Sequence, residues 1–209
     1  MAEYVRKWFA QEAGIFPAQA AGQAAAFLAE SAGVPDLRAN PLMLALMCVL
    51  YRGEGSIPRN RPELYEQCST LLLRKWDARR HIHVQLRARS QAEPATRHLA
   101  YWLFTRGQDQ PTVTERELLR ETTAFLQGRS FEDREQAAHA AHEFIAFCRD
   151  RAWVFSNAGS SASGQRLYAF THRTFLEYFA AAHLATTYDT PEKLARALAP
   201  RIARQEWDV

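Results

Sequence analysis

Cysteine, lysine and long apolar runs are scarce in this chain of 209 residues. The three cysteines, Cys48, Cys68 and Cys148, lie far apart within apolar helical patterns. They predict buried thiols in a reducing compartment, and neither a disulfide framework nor a zinc site. No apolar run reaches membrane-spanning length, and the sequence does not begin with a secretory signal. We therefore expect a cytoplasmic protein with no membrane partner.

The chain also has only a small surplus of positive charge. Lysine and arginine total 26 against 23 aspartate and glutamate, which gives a net charge of +3. Nearly all of the positive charge is arginine, since lysine occurs only at positions 7, 75 and 193. So small a surplus does not indicate a nucleic-acid partner.

The motifs of ATP hydrolysis and of other familiar catalytic schemes are absent. None of the nine glycines is followed by lysine, so there is no phosphate-binding loop, and no apolar strand ends in paired carboxylates. The sequence has no G-x-S-x-G and no H-E-x-x-H, and no cysteine lies in a setting that would activate it. His81 and His83 have no third metal ligand nearby. We expect no enzyme activity, no catalytic residue and no metal in this chain.

Helical periodicity dominates the first part of the chain. Apolar spacing predicts helices over residues 1–13, with Tyr4 and Val5 facing inward, and over 17–32. Asn40 is a strong N-cap and Pro41 suits the first helical position of an almost wholly apolar helix, which should be buried. Asn60 opens a further amphipathic helix. These patterns predict a four-helix bundle-like domain over 1–80, followed by a basic linker over 81–93.

Three helices and a hairpin are predicted next. The helices cover 94–106, a segment that begins with a capping box at Thr114, and a segment capped by Ser130. Two short β-like runs, Trp153–Ser156 and Leu167–Phe170, flank a glycine- and serine-rich connector. Three helices followed by a two-stranded wing describe a winged-helix domain, which we place at 94–188. The predicted fold class is therefore mainly α, and a last helix is expected over 192–204, with Leu194 and Leu198 facing inward.

The segment Tyr168–Leu184 changes from strand spacing to helical spacing at Thr171. Thr171 is the predicted N-cap, which puts His172 at the first helical position, beside unpaired N–H groups and the positive end of the helix dipole. Such a place favours an anion or phosphate, to which an imidazole would add a donor. A lone histidine near a helix start is also a common packing or capping residue, so the residues alone leave both interpretations open.

Two motifs resemble a known family. Residues 170–181, FTHRTFLEYFAA, resemble the F-x-H-x-x-F-x-E-Y-F-A-A signature of the winged-helix part of NACHT-type signalling ATPases, a branch of the STAND NTPases. Asn40–Leu44, NPLML, is similar to the helical domain that follows the ATPase core of that family. The resemblance implies that His172 contacts the β-phosphate of bound ADP or ATP in the closed state, and that Pro41 lies against the base.

The resemblance also implies partners and a role. The partners would be a P-loop ATPase core N-terminal to this segment, a C-terminal sensor domain whose start we place at 189–209, and further copies of the chain on activation. The nucleotide cofactor would be held only together with that core. The implied role is a regulatory lid that couples nucleotide state to signalling, in anti-phage defence or innate immunity. The alternative is a winged-helix transcription regulator, for which Arg166 and Arg173 near the wing are the favourable residues and the mixed charge of the third helix is unfavourable.

Overall fold

The structure, a computed structural model, describes residues 1–11, 16–75, 86–106 and 111–203. These residues fall into two compact units, Met1–Lys75 and Trp76–Val209. The predicted histidine pair at 81 and 83, and the predicted end of the first domain at residue 80, lie outside the described residues. No helix among the described residues has the length and apolar character needed to cross a membrane.

The described residues of the first unit form four longer helices and one short one. The elements are α1 (Ala2–Ala10), α2 (Pro17–Glu30), a 3₁₀ turn (Ser31–Gly33), the short α3 (Pro35–Ala39), α4 (Pro41–Glu54), and α5 (Arg61–Thr70) followed by a π turn (Leu71–Lys75). The mainly helical class predicted from the sequence is confirmed. Tyr4, expected to face inward, is 44% exposed, whereas Val5 is buried.

Helix α4 is the buried centre of this unit. Asn40 caps it, because the Asn40 Oδ1 atom accepts hydrogen bonds from the backbone N–H groups of Leu42 (3.0 Å) and Met43 (3.1 Å). Gly55 ends it in the left-handed conformation, with φ +73°. Half of its residues are buried: Met43, Leu44, Leu46, Met47, Cys48, Leu50 and Tyr51. Burial of so many apolar side chains on one helix makes α4 the element on which this unit's core is built.

The second unit has a helical layer and a small sheet. Its elements are a 3₁₀ turn (Arg89–Gln91), α6 (Ala92–Phe104), β1 (Val113–Thr114), α7 (Glu115–Leu126), α8 (Arg134–Asp150), β2 (Phe155–Ser160), β3 (Arg166–Phe170), α9 (Arg173–Thr187) and α10 (Pro191–Ala203). Helix α6 packs along α9, and α7 packs on α8. This arrangement of helices and hairpin confirms the winged helix.

The sheet is antiparallel with the order β1-β3-β2, and its first strand was not predicted. Val113 pairs with Tyr168, so β3 lies in the middle of the sheet. Phe155 pairs with Phe170, and a bulge between Asn157 and Gly159 shifts the register toward the tip of the hairpin. Strand β3 is therefore hydrogen-bonded to a strand on each side, and the chain continues from β3 directly into α9.

Two predicted caps are wrong. Helix α8 begins after Asp133, not Ser130, because the Asp133 Oδ1 atom accepts the N–H of Glu135 at 3.1 Å. Helix α9 begins after His172, not Thr171.

Leu194 and Leu198 of α10, which were expected to face inward, are only half-buried, and no residue of that helix is buried.

Candidate functional site

His172 lies at the junction between the central strand and α9. Its backbone is extended, with φ −134° and ψ 126°, and its carbonyl accepts the N–H groups of Phe175 (3.1 Å) and Leu176 (3.2 Å). His172 is therefore the N-cap of α9 and not its first helical residue, so the helix begins one residue later than predicted. The reason is that the Thr171 N–H donates to the Val154 carbonyl at 2.9 Å, which keeps Thr171 in the strand ladder.

The position of His172 at the start of α9, at the positive end of the helix dipole, favours an anion. The side chain of His172 makes no capping hydrogen bond to the helix, and the first turn of α9 contains no acidic residue. Burial lowers the pKa of His172, so the imidazole is neutral at pH 7 and has one N–H donor and one acceptor nitrogen. The adjacent Arg173 donates from Nε to the Glu177 carboxylate at 2.7 Å.

The side chain of Thr171 has a buried polar atom with no hydrogen-bond partner in the fold. Its Oγ1 atom is buried and has no hydrogen-bond partner in the structure. A buried hydroxyl without a partner loses its hydrogen bonds to water and forms none in the protein, which costs free energy. Thr171 and His172 thus place one unsatisfied oxygen and one imidazole at consecutive positions of the same junction.

Trp153 lies between the end of α8 and the start of β2, and its backbone conformation is not one that the sequence pattern predicted. Val154 accepts the Thr171 N–H and Phe155 pairs with Phe170, and Trp153 precedes both in the chain. Trp153 is 47% exposed, and its φ is +49°. The apolar run Trp153–Ser156 predicted it as the first residue of a strand, whereas β2 begins at Phe155.

Pro41 occupies the predicted place at the start of α4. It follows the N-cap Asn40, and its side chain is exposed. Pro41 belongs to the first unit and His172 to the second. The role assigned to each from the family resemblance stays a prediction.

A cavity of about 630 Å³ lies within the first unit. Its lining consists of Glu30, Gly33, Val34, Ser56, Ile57, Pro58 and Arg59. The Glu30 carboxylate at its edge already accepts the N–H of Ile57 at 3.3 Å. Pro41 is not among the residues that line this cavity.

Histidines elsewhere in the second unit take part in packing. His98 Nε2 lies 2.8 Å from the Glu121 carboxylate, and its ring stacks on Phe125. The His183 ring stacks on Tyr101, with centroids 4.8 Å apart, and lies edge-on to His98 at 5.7 Å. These contacts tie α9 to α6 and connect both to α7.

No group of three histidine, cysteine, aspartate or glutamate side chains able to hold a metal ion occurs in the described part of the chain. All three cysteines are buried free thiols, and burial raises the pKa of Cys48 and of Cys68 to about 12. Thiols with such a pKa are protonated at pH 7, which makes them poor nucleophiles and poor metal ligands.

Comparison with known proteins gives one family match. The family described as the winged helix-turn-helix domain C-terminal to NACHT matches residues 61–184, which is more than half of the chain. The matched range contains Trp153 and His172 but not Pro41. No curated protein and no solved structure is significantly similar to the chain.

Proposed function

Because the chain belongs to the family of winged helix-turn-helix domains C-terminal to NACHT, we propose that it is the regulatory lid of a NACHT-type STAND ATPase. The partner implied by this family is a NACHT core that precedes the domain. The lid holds the closed, ADP-bound state of that core and releases it on exchange for ATP. Hydrolysis belongs to the core, and this chain supplies contacts only.

His172 is the proposed contact to the nucleotide phosphates. It lies at the N-terminus of the fifteen-residue helix α9, where the positive end of the helix dipole favours negative charge. A neutral imidazole presents an N–H to a phosphate oxygen without first losing a proton. The position of His172 at this junction, within a domain of the NACHT family, is the observation that carries the proposal.

Pro41 is the proposed contact to the base. Its exposed ring is held at the first turn of α4 by the Asn40 cap and gives an apolar surface of fixed shape. Two contacts at opposite ends of one nucleotide would let the lid distinguish a filled from an empty core. A ligand that binds the closed state more tightly shifts the population toward that state by its difference in affinity.

The role in the cell follows from the same assignment. We propose a cytoplasmic signalling protein in which opening of the lid permits association of several copies, with a sensor domain C-terminal to the lid and a function in immune or anti-phage defence.

The test is ADP retention by the protein that joins a NACHT core to this chain. His172→Ala should release ADP at least about tenfold faster, since a hydrogen bond to a charged group is worth roughly 1.5–3 kcal/mol. Pro41→Ala should accelerate release to a smaller extent. The matched controls are His142→Ala, an exposed histidine on α8, and Pro62→Ala, an exposed proline in the first turn of α5. Equal release rates in all four variants would refute the lid contacts.

A further inference from the structure

The cavity of the first unit lies between two segments of the chain. One segment is the end of α2 with the turn that follows it, and the other is the connector between α4 and α5. The Glu30 carboxylate of the first segment accepts the Ile57 N–H of the second at 3.3 Å. Beside the cavity, Arg61 donates to both carboxylate oxygens of Asp36, at 2.8 and 2.9 Å. These contacts join the two segments, so the cavity is a fixed part of the folded unit.

The floor of the cavity is apolar. Val34 and Ile57 are 5% and 7% exposed, and Pro58 is half-buried. Gly33 leaves space beside them, because a Cβ atom added at this residue would meet no other atom within 4 Å. A cavity of about 630 Å³ with an apolar floor and a few polar groups has the size and character of a site for a small ligand.

Two groups of opposite charge line this cavity and do not pair with each other. Glu30 is the last residue of α2, and Arg59 lies in the connector. Within the described part of the chain, the Arg59 guanidinium has no ion-pair or hydrogen-bond partner. The Glu30 carboxylate is hydrogen-bonded to Ile57 and to Tyr51, but a carboxylate has about four acceptor positions. Both charges can therefore still bind groups of a ligand.

We propose that the cavity binds a short peptide with free termini and apolar side chains. The peptide ammonium group contacts Glu30, its carboxylate contacts Arg59, and its side chains cover the apolar floor. A ligand of one charge would leave the other charged group without a partner, whereas a peptide with free termini has both. Two extended residues span about 7 Å, which suits two charges that line one cavity yet are too far apart to pair.

This site is independent of the proposed lid contacts. Its lining lies before residue 61, where the match to the family begins, and includes neither His172 nor Pro41. Loss of either lid contact would leave the peptide site unchanged, and failure of the peptide site would leave the lid contacts unchanged.

The test is calorimetric titration of the 209-residue chain with the dipeptide leucylleucine. We expect one molecule to bind per chain, with a Kd below about 1 mM. A ligand that binds only the folded state also raises the thermal unfolding midpoint. No heat of binding at about 10 mM dipeptide would overturn the proposal.

Two charge variants assign the two ends of the peptide. Glu30→Gln keeps a carbonyl that can accept the Ile57 N–H, and Arg59→Gln removes only the charge. Each should weaken binding about fivefold, as expected for a partly exposed ion pair. N-acetylated leucylleucine should bind Glu30→Gln and the wild-type chain equally, and leucylleucine amide should show the same equality with Arg59→Gln. Arg6→Gln, at an exposed arginine on α1 outside the lining, is the control. An equal loss of affinity in this control would contradict specific recognition.

A variant that fills the cavity tests its location. Gly33→Leu puts a side chain into the open space and should abolish binding without lowering the thermal unfolding midpoint of the free chain. Gly22→Leu is the matched control, since Gly22 is exposed on α2 and an added Cβ there also meets no atom within 4 Å. Unchanged affinity in Gly33→Leu would place the dipeptide elsewhere and overturn the assignment.

Discussion

The Oγ1 atom of Thr171 is the residue-scale feature with the most direct energetic consequence. It is buried and lacks a hydrogen-bond partner, directly before the N-cap of α9. Thr171→Val keeps the branched shape and removes the unsatisfied hydroxyl. We expect the free energy of unfolding to rise by about 1 kcal/mol, measured by urea denaturation.

Thr122→Val is the matched control for that substitution. Thr122 is fully buried on α7, and its hydroxyl donates to the Leu118 carbonyl at 2.7 Å. The same chemical change there removes a hydrogen bond that is already made, so it should not stabilise the protein. A loss of stability in Thr171→Val as large as in the control would mean that the Thr171 hydroxyl has a partner.

His183 makes the second unit sensitive to acid. Burial, together with the nearby His98 and the charge of Arg129, lowers the pKa of His183 below its ordinary value of 6.5. The unfolded chain then binds the proton more readily than the folded one. Stability contributed by neutral His183 is fully present above pH 6.5 and is lost as the pH falls through the lowered pKa. Burial also lowers the pKa of His172, which adds a change of the same sign.

We predict that His183→Gln loses less unfolding free energy than the wild-type protein between about pH 7.5 and 5. Urea denaturation at the two pH values measures this difference. His142→Gln, at an exposed position on α8, serves as the control and should follow the wild-type protein. A wild-type slope in His183→Gln would contradict the assignment of the acid sensitivity to His183.

At the scale of elements, capping decides where two of the helices begin. Thr114 and Glu117 form a reciprocal capping box on α7, in which Thr114 Oγ1 accepts the Glu117 N–H and the Glu117 carboxylate accepts the Thr114 N–H. The Thr114 N–H is also the main cause of the lowered pKa of Glu117. Thr114→Ala should cost about 1–2 kcal/mol of unfolding free energy, measured by urea denaturation.

Thr190 likewise caps a helix through its hydroxyl, but this helix has no buried residue. Its Oγ1 atom accepts the Lys193 N–H at 3.3 Å at the start of α10. Because α10 buries no side chain, its fraying has little effect on the rest of the fold, and Thr190→Ala should cost less than about 0.5 kcal/mol. Equal losses in the two variants would show that α10 is coupled to the core.

The elements that were predicted correctly are those whose signals lie close together in the sequence. Asn40-Pro41 and the Thr114–Glu117 box fix helix starts within four residues, and the structure has both. Thr171 and Ser130 are wrong as caps because a more distant or competing acceptor decides the outcome. The Val154 carbonyl accepts the Thr171 N–H and so keeps Thr171 in the sheet. The Asp133 carboxylate, and not the Ser130 hydroxyl, accepts a backbone N–H at the start of α8. Strand β1 has two residues and exists only through its pairing with β3, so no local pattern could predict it.

For the whole molecule, the distribution of charge bears on the alternative of a DNA-binding regulator. The third helix of the winged helix, α8, carries Glu143, which accepts the backbone N–H of Arg87 (3.1 Å) and its Nε (3.2 Å). His139 lies 3.2 Å from the same carboxylate. Arg149 is paired with Asp150 and Glu115. The positive groups at this helix are therefore largely neutralised by carboxylates.

With a net charge of only +3, we predict that the chain does not retain duplex DNA at micromolar concentration, even at low salt. A gel-shift titration at several salt concentrations measures this, and Glu143→Gln is included because removal of the carboxylate would strengthen any binding to phosphates. Binding that weakens steeply with salt would support the alternative.

The candidate site could be predicted only in part, for reasons that also hold for the whole chain. His172 was identified through a linear motif, and its helix-start environment follows from the sequence. Trp153, in contrast, was predicted as the first residue of a strand and lies outside β2, which begins at Phe155. The left-handed backbone of Trp153 depends on how α8 ends. The apolar run that begins at Trp153 has the pattern of a strand, so the sequence does not indicate this turn.

The burial of all three cysteines makes the chain well suited to site-specific labelling. None of the native thiols is exposed, and burial keeps them protonated at neutral pH. A Ser163→Cys substitution at the exposed tip of the hairpin would introduce the single thiol that reacts readily with a maleimide dye. A dye at that position would report movement of the winged-helix domain by energy transfer, without removal of any native cysteine.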